Sequence, residues 1–145
     1  MQKITPFITY NDQAEEAVNL YTSIFKNARI TNTSRSADGS LFSAEFEIEG
    51  QEFIALNGGP YFKFSEGISL FVHCETQAEV DELWEKLSAG GEKGRCGWLK
   101  DKFGVSWQIF PKILNQLMSN PEKAARVFES FKNMRKFEID KLDMS

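Results

Sequence analysis

The feature that most constrains this chain is a repeat. Asp12-Gln13-Ala14-Glu15 and Thr76-Gln77-Ala78-Glu79 each follow an alternating strand pattern by a residue or two, and each opens an amphipathic helix. An N-capping residue followed three positions later by Glu is a helix-start signal. Capping boxes are common and could coincide, but here each lies between a strand and a set of hairpin strands. Duplication explains the pattern better. A chain built this way folds as two strand-helix-strand-strand-strand modules.

The first copy begins with Ile4 to Tyr10, where Pro6 places the strand at an edge or a bulge. Asp12 is the expected N-cap, and Ala14, Ala17, Val18, Tyr21 and Phe25 form one apolar stripe. The helix is expected near residues 12–26, with Asn27 closing it. Arg29 to Arg35, Ser40 to Ile48 and Gln51 to Asn57 read as strands joined by Gly-containing turns.

After a Gly- and aromatic-rich linker the order restarts. Gly67 to Cys74 is a strand, and Val80, Leu83, Trp84 and Leu87 stripe a helix near residues 76–89. The remaining strands are compressed into Lys93 to Phe110. Lys102-Phe103-Gly104 supplies a tight turn there, and Val105, Trp107 and Ile109 alternate with Ser106, Gln108 and Phe110. Pro111 has no N–H for the ladder and ends the strand. Two helices follow, the second capped by Asn120-Pro121. Phe128, Phe131, Phe137 and Leu142 leave an apolar patch on the tail, which covers either its own core or another subunit. The expected layout is one domain over 1–145: module one about 1–58, module two about 65–111 and a helical tail 112–145.

The chain has 145 residues, enough for a real core, and its 41% hydrophobic and 26% charged residues are ordinary for a soluble protein. A net charge of −4 with scattered Lys and Arg argues against nucleic acid as a partner. No apolar run approaches the roughly 20 residues of a membrane span. The N-terminus enters a strand pattern at once, so no signal peptide is expected. Cys74 and Cys96 lack metal or redox spacing, which suits a reducing cytoplasm.

Asn57-Gly58-Gly59-Pro60, Ser69-Leu70-Phe71-Val72, Glu75-Thr76-Gln77, Val80-Asp81 and Cys96 through Pro111 together resemble the PhnB-like family. This is the 3-demethylubiquinone-9 3-methyltransferase-like branch of the glyoxalase/bleomycin-resistance/dioxygenase superfamily, also called vicinal oxygen chelate. The resemblance implies an α+β fold, with two βαβββ modules curling their sheets around a cavity. It also implies pairing of half-open sheets, and hence a homodimer. Metalloenzymes of that superfamily carry ligands on the first and fourth strand of each module. Those slots fall here on Thr5, Ala55, Gly67 and Gln108, none of which is His, Asp, Glu or Cys. Neither a catalytic metal nor another cofactor is therefore expected. The Gly-rich turns lack the strand-to-helix context of a nucleotide site.

If Gln108 faces the cavity, alternation assigns Thr5, Phe7, Thr9, Phe53, Ala55, Asn57, Ser69, Phe71, His73, Ser106 and Phe110 to the same interior. The expected ligand contacts are Phe7, Phe53, Phe71, His73 and Phe110, with Asn57, Ser69, Ser106 and Gln108 orienting polar groups. Interior side chains can also simply fill a small barrel. His73, the single histidine, is either a general base or a satisfied strand-end residue. Asp101, between two lysines, reads as part of a charged hairpin. The function classes that follow are a metal-free module binding a small, partly aromatic molecule, and an enzyme. The enzyme would be of lyase, isomerase or dioxygenase type, or the methyltransferase of the family label.

Overall fold

The computed structural model describes residues 2–145, which form two compact units divided between Lys63 and Phe64. The first unit contains β1 (Phe7–Tyr10), α1 (Ala14–Ile24), β2 (Ala28–Arg35), β3 (Leu41–Ile48) and β4 (Gln51–Asn57). Its sheet has the order β1-β4-β3-β2, parallel between β1 and β4 and antiparallel elsewhere. The second unit repeats the plan with β5 (Leu70–Cys74), α2 (Gln77–Ser88), β6 (Glu92–Lys93), β7 (Trp98–Lys100) and β8 (Ser106–Pro111). Its order is β5-β8-β7-β6, again with one parallel pair, β5 and β8. Then come α3 (Lys112–Met118), α4 (Pro121–Phe131) and a single 3-10 turn, Ile139–Lys141. Each unit is thus one βαβββ module, and neither sheet is strongly curled or closed into a barrel.

Both helices cover one sheet face with the stripe their spacing implies. Ala14, Ala17, Val18, Tyr21 and Ile24 of α1 are buried, and α1 packs on β2, β3 and β4. Tyr21 meets Phe46, Phe46 stacks on Phe53 at 5.2 Å, and the Tyr10 and Tyr21 hydroxyls share a 3.1 Å hydrogen bond. In the second unit Val80, Leu83, Trp84 and Leu87 pack on β5, β7 and β8, where Cys74, Leu99, Trp107 and Ile109 are buried.

The caps of the two helices differ. Thr76 caps α2 as expected: its hydroxyl accepts from the Glu79 N–H at 3.2 Å, and Glu79 reaches back to the Glu75 N–H. Asp12 does not cap α1. The helix starts after Gln13, and the Ala14 N–H donates to Asn57 Oδ1 at 2.8 Å, while the Asn57 amide donates to the Leu41 carbonyl. Glu15 pairs with Arg35 instead of completing a box. Asn27 does not close α1 either, since the backbone is already extended at Phe25. Both opening strands are shorter than expected. The Pro6 carbonyl joins the ladder by accepting from Ile54 N–H, but regular pairing begins at Phe7. A turn at Ser65 to Ile68 delays β5 to Leu70.

Asp101 lies in the β7–β8 hairpin, but buried rather than on its charged surface. Its Oδ1 accepts from the Phe103 and Val105 N–H groups at 2.9 and 3.0 Å, and Oδ2 accepts from the Trp107 indole at 3.0 Å. Around this carboxylate the chain turns through Gly104 at φ +95. The tail folds back on its own unit. Phe131, Phe137 and Leu142 are buried, and only Phe128 of the predicted patch stays exposed. Cys96 and Gly97 N–H groups donate to the Met134 and Arg135 carbonyls, both at 2.8 Å. The Gln77 amide grips the tail from both sides, donating to the Phe137 carbonyl and accepting from the Ile139 N–H.

Candidate functional site

Residues paired across a sheet point to the same face. In the second sheet the face opposite α2 is therefore made of rungs. Phe71, Gln108 and Trp98 form one, and Ser106, Lys100 and Glu92 the next. His73 pairs with Phe110 on the other side of Gln108. Ser69, Phe71, His73, Ser106, Gln108 and Phe110 are thus on one face. This follows from β8, where the face toward α2 is Trp107 and Ile109 and the other carries an amide and a hydroxyl.

Gln108 sits between two aromatic side chains. Its Nε2 donates to Ser69 Oγ at 2.9 Å. That bond leaves Gln108 Oε1 as an acceptor and the Ser69 hydroxyl hydrogen as a donor, side by side. Phe71, 40% exposed, packs on Phe110 and on the His73 ring at 4.8 and 4.9 Å between centroids. His73 Nδ1 lies 3.0 Å from Asn115 Nδ2. One rung beyond Gln108, a recess of about 330 Å³ is lined by Glu66, Glu92, Lys93, Gly94, Trp98, Leu99, Lys100 and Ser106. Lys100 Nζ meets Glu66 at 3.3 Å and Glu92 at 3.9 Å there, while Ser106 is buried.

The first sheet corrects part of the expected interior. Phe53 pairs with Phe46, Ala55 with Ala44 and Ile8, and Asn57 with Tyr10, so all three lie on the α1 side. Phe53 is core, and Asn57 is committed to capping α1. Phe7 and Thr9 instead share the opposite face with Ile54 and Leu56. The expected assignment is one residue out of register in β4, and a one-residue slip moves every side chain to the other face. Of the nine expected contacts, Phe53 and Asn57 therefore leave the open face, while Phe7 stays on it, 54% exposed.

The same register tests a metal site. Ala55 is wholly buried on the α1 side, and the open-face rung that matches Gln108 holds Ile54. Taken sheet by sheet, neither the alkyl chain of Ile54 nor the lone amide of Gln108 supplies the donors a divalent metal requires. Among the described residues no group of three or more His, Cys, Asp or Glu could hold a metal ion. Neither cysteine suits a nucleophile. Burial, with Glu79 nearby, pushes the Cys74 thiol up to about 12, and burial also raises Cys96.

Lys100, Glu66 and Asn115 were not picked out by sequence reasoning. Lys100 could have been found by carrying the Ser106 face across the hairpin. Asn115 lies in α3, and its contact with His73, 42 residues away, is purely tertiary.

Two βαβββ modules, each with a parallel outer pair and one open face, define a protein of the glyoxalase/bleomycin-resistance/dioxygenase superfamily. Residues 2–110 match the family described as 3-demethylubiquinone-9 3-methyltransferase, and the chain belongs to that PhnB-like family. No curated protein matches it in sequence. Among solved structures it is similar to a putative 3-demethylubiquinone-9 3-methyltransferase, PhnB protein, from Bacillus cereus. Identity there is 37% over 76% of this chain and 99% of that one, with a TM-score of 0.72. A protein from Pseudomonas aeruginosa is 17% identical over 77% of this chain and 98% of that one, with a TM-score of 0.65. The fosfomycin resistance protein FosX from Listeria monocytogenes is 21% identical over 79% of this chain and 94% of its own, with a TM-score of 0.58. The last two show a shared fold alone.

Proposed function

We propose that this chain is a small-molecule-binding member of its superfamily that works without a metal or other cofactor, with the ligand lying on the open face of the second sheet. The observation that carries the reading is Gln108, held by Ser69 between Phe71 and Trp98. A flat, partly aromatic molecule can stack on the rings while the amide oxygen and the hydroxyl orient its polar edge. Ser106 and Lys100 extend the polar contacts into the adjoining recess. His73 and Phe110 border the other side. Phe7 occupies the matching position on the first sheet.

In this reading residues 1–145 act as one domain, and two copies pair to cover their half-open sheets. The resemblance supports a homodimer, and the exposed Phe7 is consistent with it. Light scattering at micromolar concentration would return twice the chain mass, and a monomer would refute the pairing. Free cysteines fit a cytoplasmic location. Among the described residues no helix is long and apolar enough to cross a membrane. Gln108→Leu tests the site itself: affinity for a polar aromatic ligand should fall by about 1 to 3 kcal/mol while the fold persists. Unchanged affinity would refute the assignment.

A further inference from the structure

α3, α4 and the tail follow residue 110, where the family match ends. Two residues of this extension touch the open face. Asn115 of α3 meets the His73 imidazole at 3.0 Å, and Phe137 packs edge-on against Phe110 at 5.1 Å. His73 and Phe110 are paired neighbours on β5 and β8. Lys112 of α3 also reaches Glu75, just past the end of β5, at 3.1 Å. The extension therefore fastens to the one rung of the open face that carries the chain's single histidine.

The chemistry of that contact is one-directional. With the Asn115 amide nitrogen turned to the ring, the nitrogen donates and Nδ1 of His73 accepts. A neutral imidazole that accepts at Nδ1 carries its proton at Nε2. Nε2–H is then the group left to meet a ligand, beside the Phe71–Phe110 aromatic pair.

Resting on the binding reading above, we propose that Asn115 is a positioning residue that fixes His73 as the Nε2–H tautomer. His73 thereby becomes a specificity-determining donor, selecting planar ligands that carry an acceptor oxygen.

A single histidine makes the test direct. In ¹⁵N-labelled protein at mildly alkaline pH, one imidazole contributes one pair of ring-nitrogen signals. The wild type should show Nδ1 unprotonated and Nε2 protonated. Asn115→Asp, whose carboxylate only accepts, should move the proton to Nδ1, and Asn115→Ala should raise the Nδ1–H share to that of a free imidazole, in which Nε2–H still predominates. Acetophenone, a neutral planar acceptor, should perturb the His73 signals and bind about tenfold more weakly to Asn115→Asp. Toluene should bind both proteins alike. Ring signals identical in all three proteins would overturn the positioning role, as would equal acetophenone affinity. If Asn115 controls the tautomer but acetophenone perturbs neither His73 nor the Phe71 and Gln108 amides, the binding reading fails and the ligand preference with it.

Discussion

The two modules share a topology and differ in what their chemistry is used for. The matching rungs read Phe7–Ile54–Glu45 in the first sheet and Phe71–Gln108–Trp98 in the second. Phenylalanine stands first in both. At the centre, an aliphatic side chain in one module is an amide in the other. The caps diverge in a linked way. Asn57 pairs with Tyr10 at the end of the parallel strands, and Pro111 pairs with Cys74 at the same place in the second module. Asn57 reaches across to cap α1. Proline has no such group, and α2 is capped by its own Thr76. Gln13 and Gln77 repeat each other in sequence, but only Gln77 has a tail to grip. The two modules keep one frame, while individual positions take local, tertiary or open-face roles.

The largest effect that would sharpen this contrast lies in the hairpin turns. Asp101→Ala strands two backbone N–H groups and an indole N–H in a buried site and should cost about 3 to 5 kcal/mol in urea unfolding. The first module turns at Glu49-Gly50, both at positive φ, with no buried carboxylate. Glu49→Ala should cost about 1 kcal/mol or less. Equal costs would show that Asp101 does not organise its turn.

Next comes the open face. Gln108→Leu should weaken acetophenone binding by about 1 to 3 kcal/mol, whereas Ile54→Val at the matching rung should leave it unchanged. Equal losses in calorimetric titration would erase the distinction between the faces. The caps follow: Asn57→Ala should cost about 1 to 2 kcal/mol, because a cap and the Leu41 tie go together, and Thr76→Ala about 1 kcal/mol. Thermal unfolding checks both.

Most of the fold was legible because helix and strand periods and the repeat agree. The cap of α1 was not, since Asn57 acts from 43 residues away and Asp12 offered a plausible local alternative. The open face was legible in β8, where Ser106 and Gln108 contrast with Trp107 and Ile109. It was misread in β4, where Phe53 and Ala55 alternate with Ile54 and Leu56 and both faces are apolar. Alternation there fixes two faces but not which is covered, and Asn57 drew the choice the wrong way. Asp101 read as part of a charged hairpin between two lysines, because its burial under the Trp107 indole arises only once the hairpin packs.

The smallest effect is the pH dependence of the tail. A hydrogen bond from Lys136, with a second from Gln77, lowers the Asp81 carboxyl, and its bond to Asp81 raises Lys136. The Asp81 contribution is complete above the ordinary value of 3.8 and fades as pH falls through the lowered one. That of Lys136 is complete below 10.5 and fades as pH rises through its raised value. Both groups are substantially exposed, so the effect is small. Hydrogen exchange at Ile139, corrected for intrinsic rate, should quicken at both extremes. An unchanged Ile139 would show that the Asp81–Lys136 pair does not help hold the tail.

The central claim is that the ligand lies on the second sheet's open face, and a crystal structure of the protein soaked with acetophenone tests it most directly. The account predicts the ring against Phe71 and Phe110, with its carbonyl oxygen within hydrogen-bond distance of the Ser69 hydroxyl or His73 Nε2. Density for the ring against Phe7, Ile54 and Leu56, or a second-sheet face left bare in a fully soaked crystal, would contradict it.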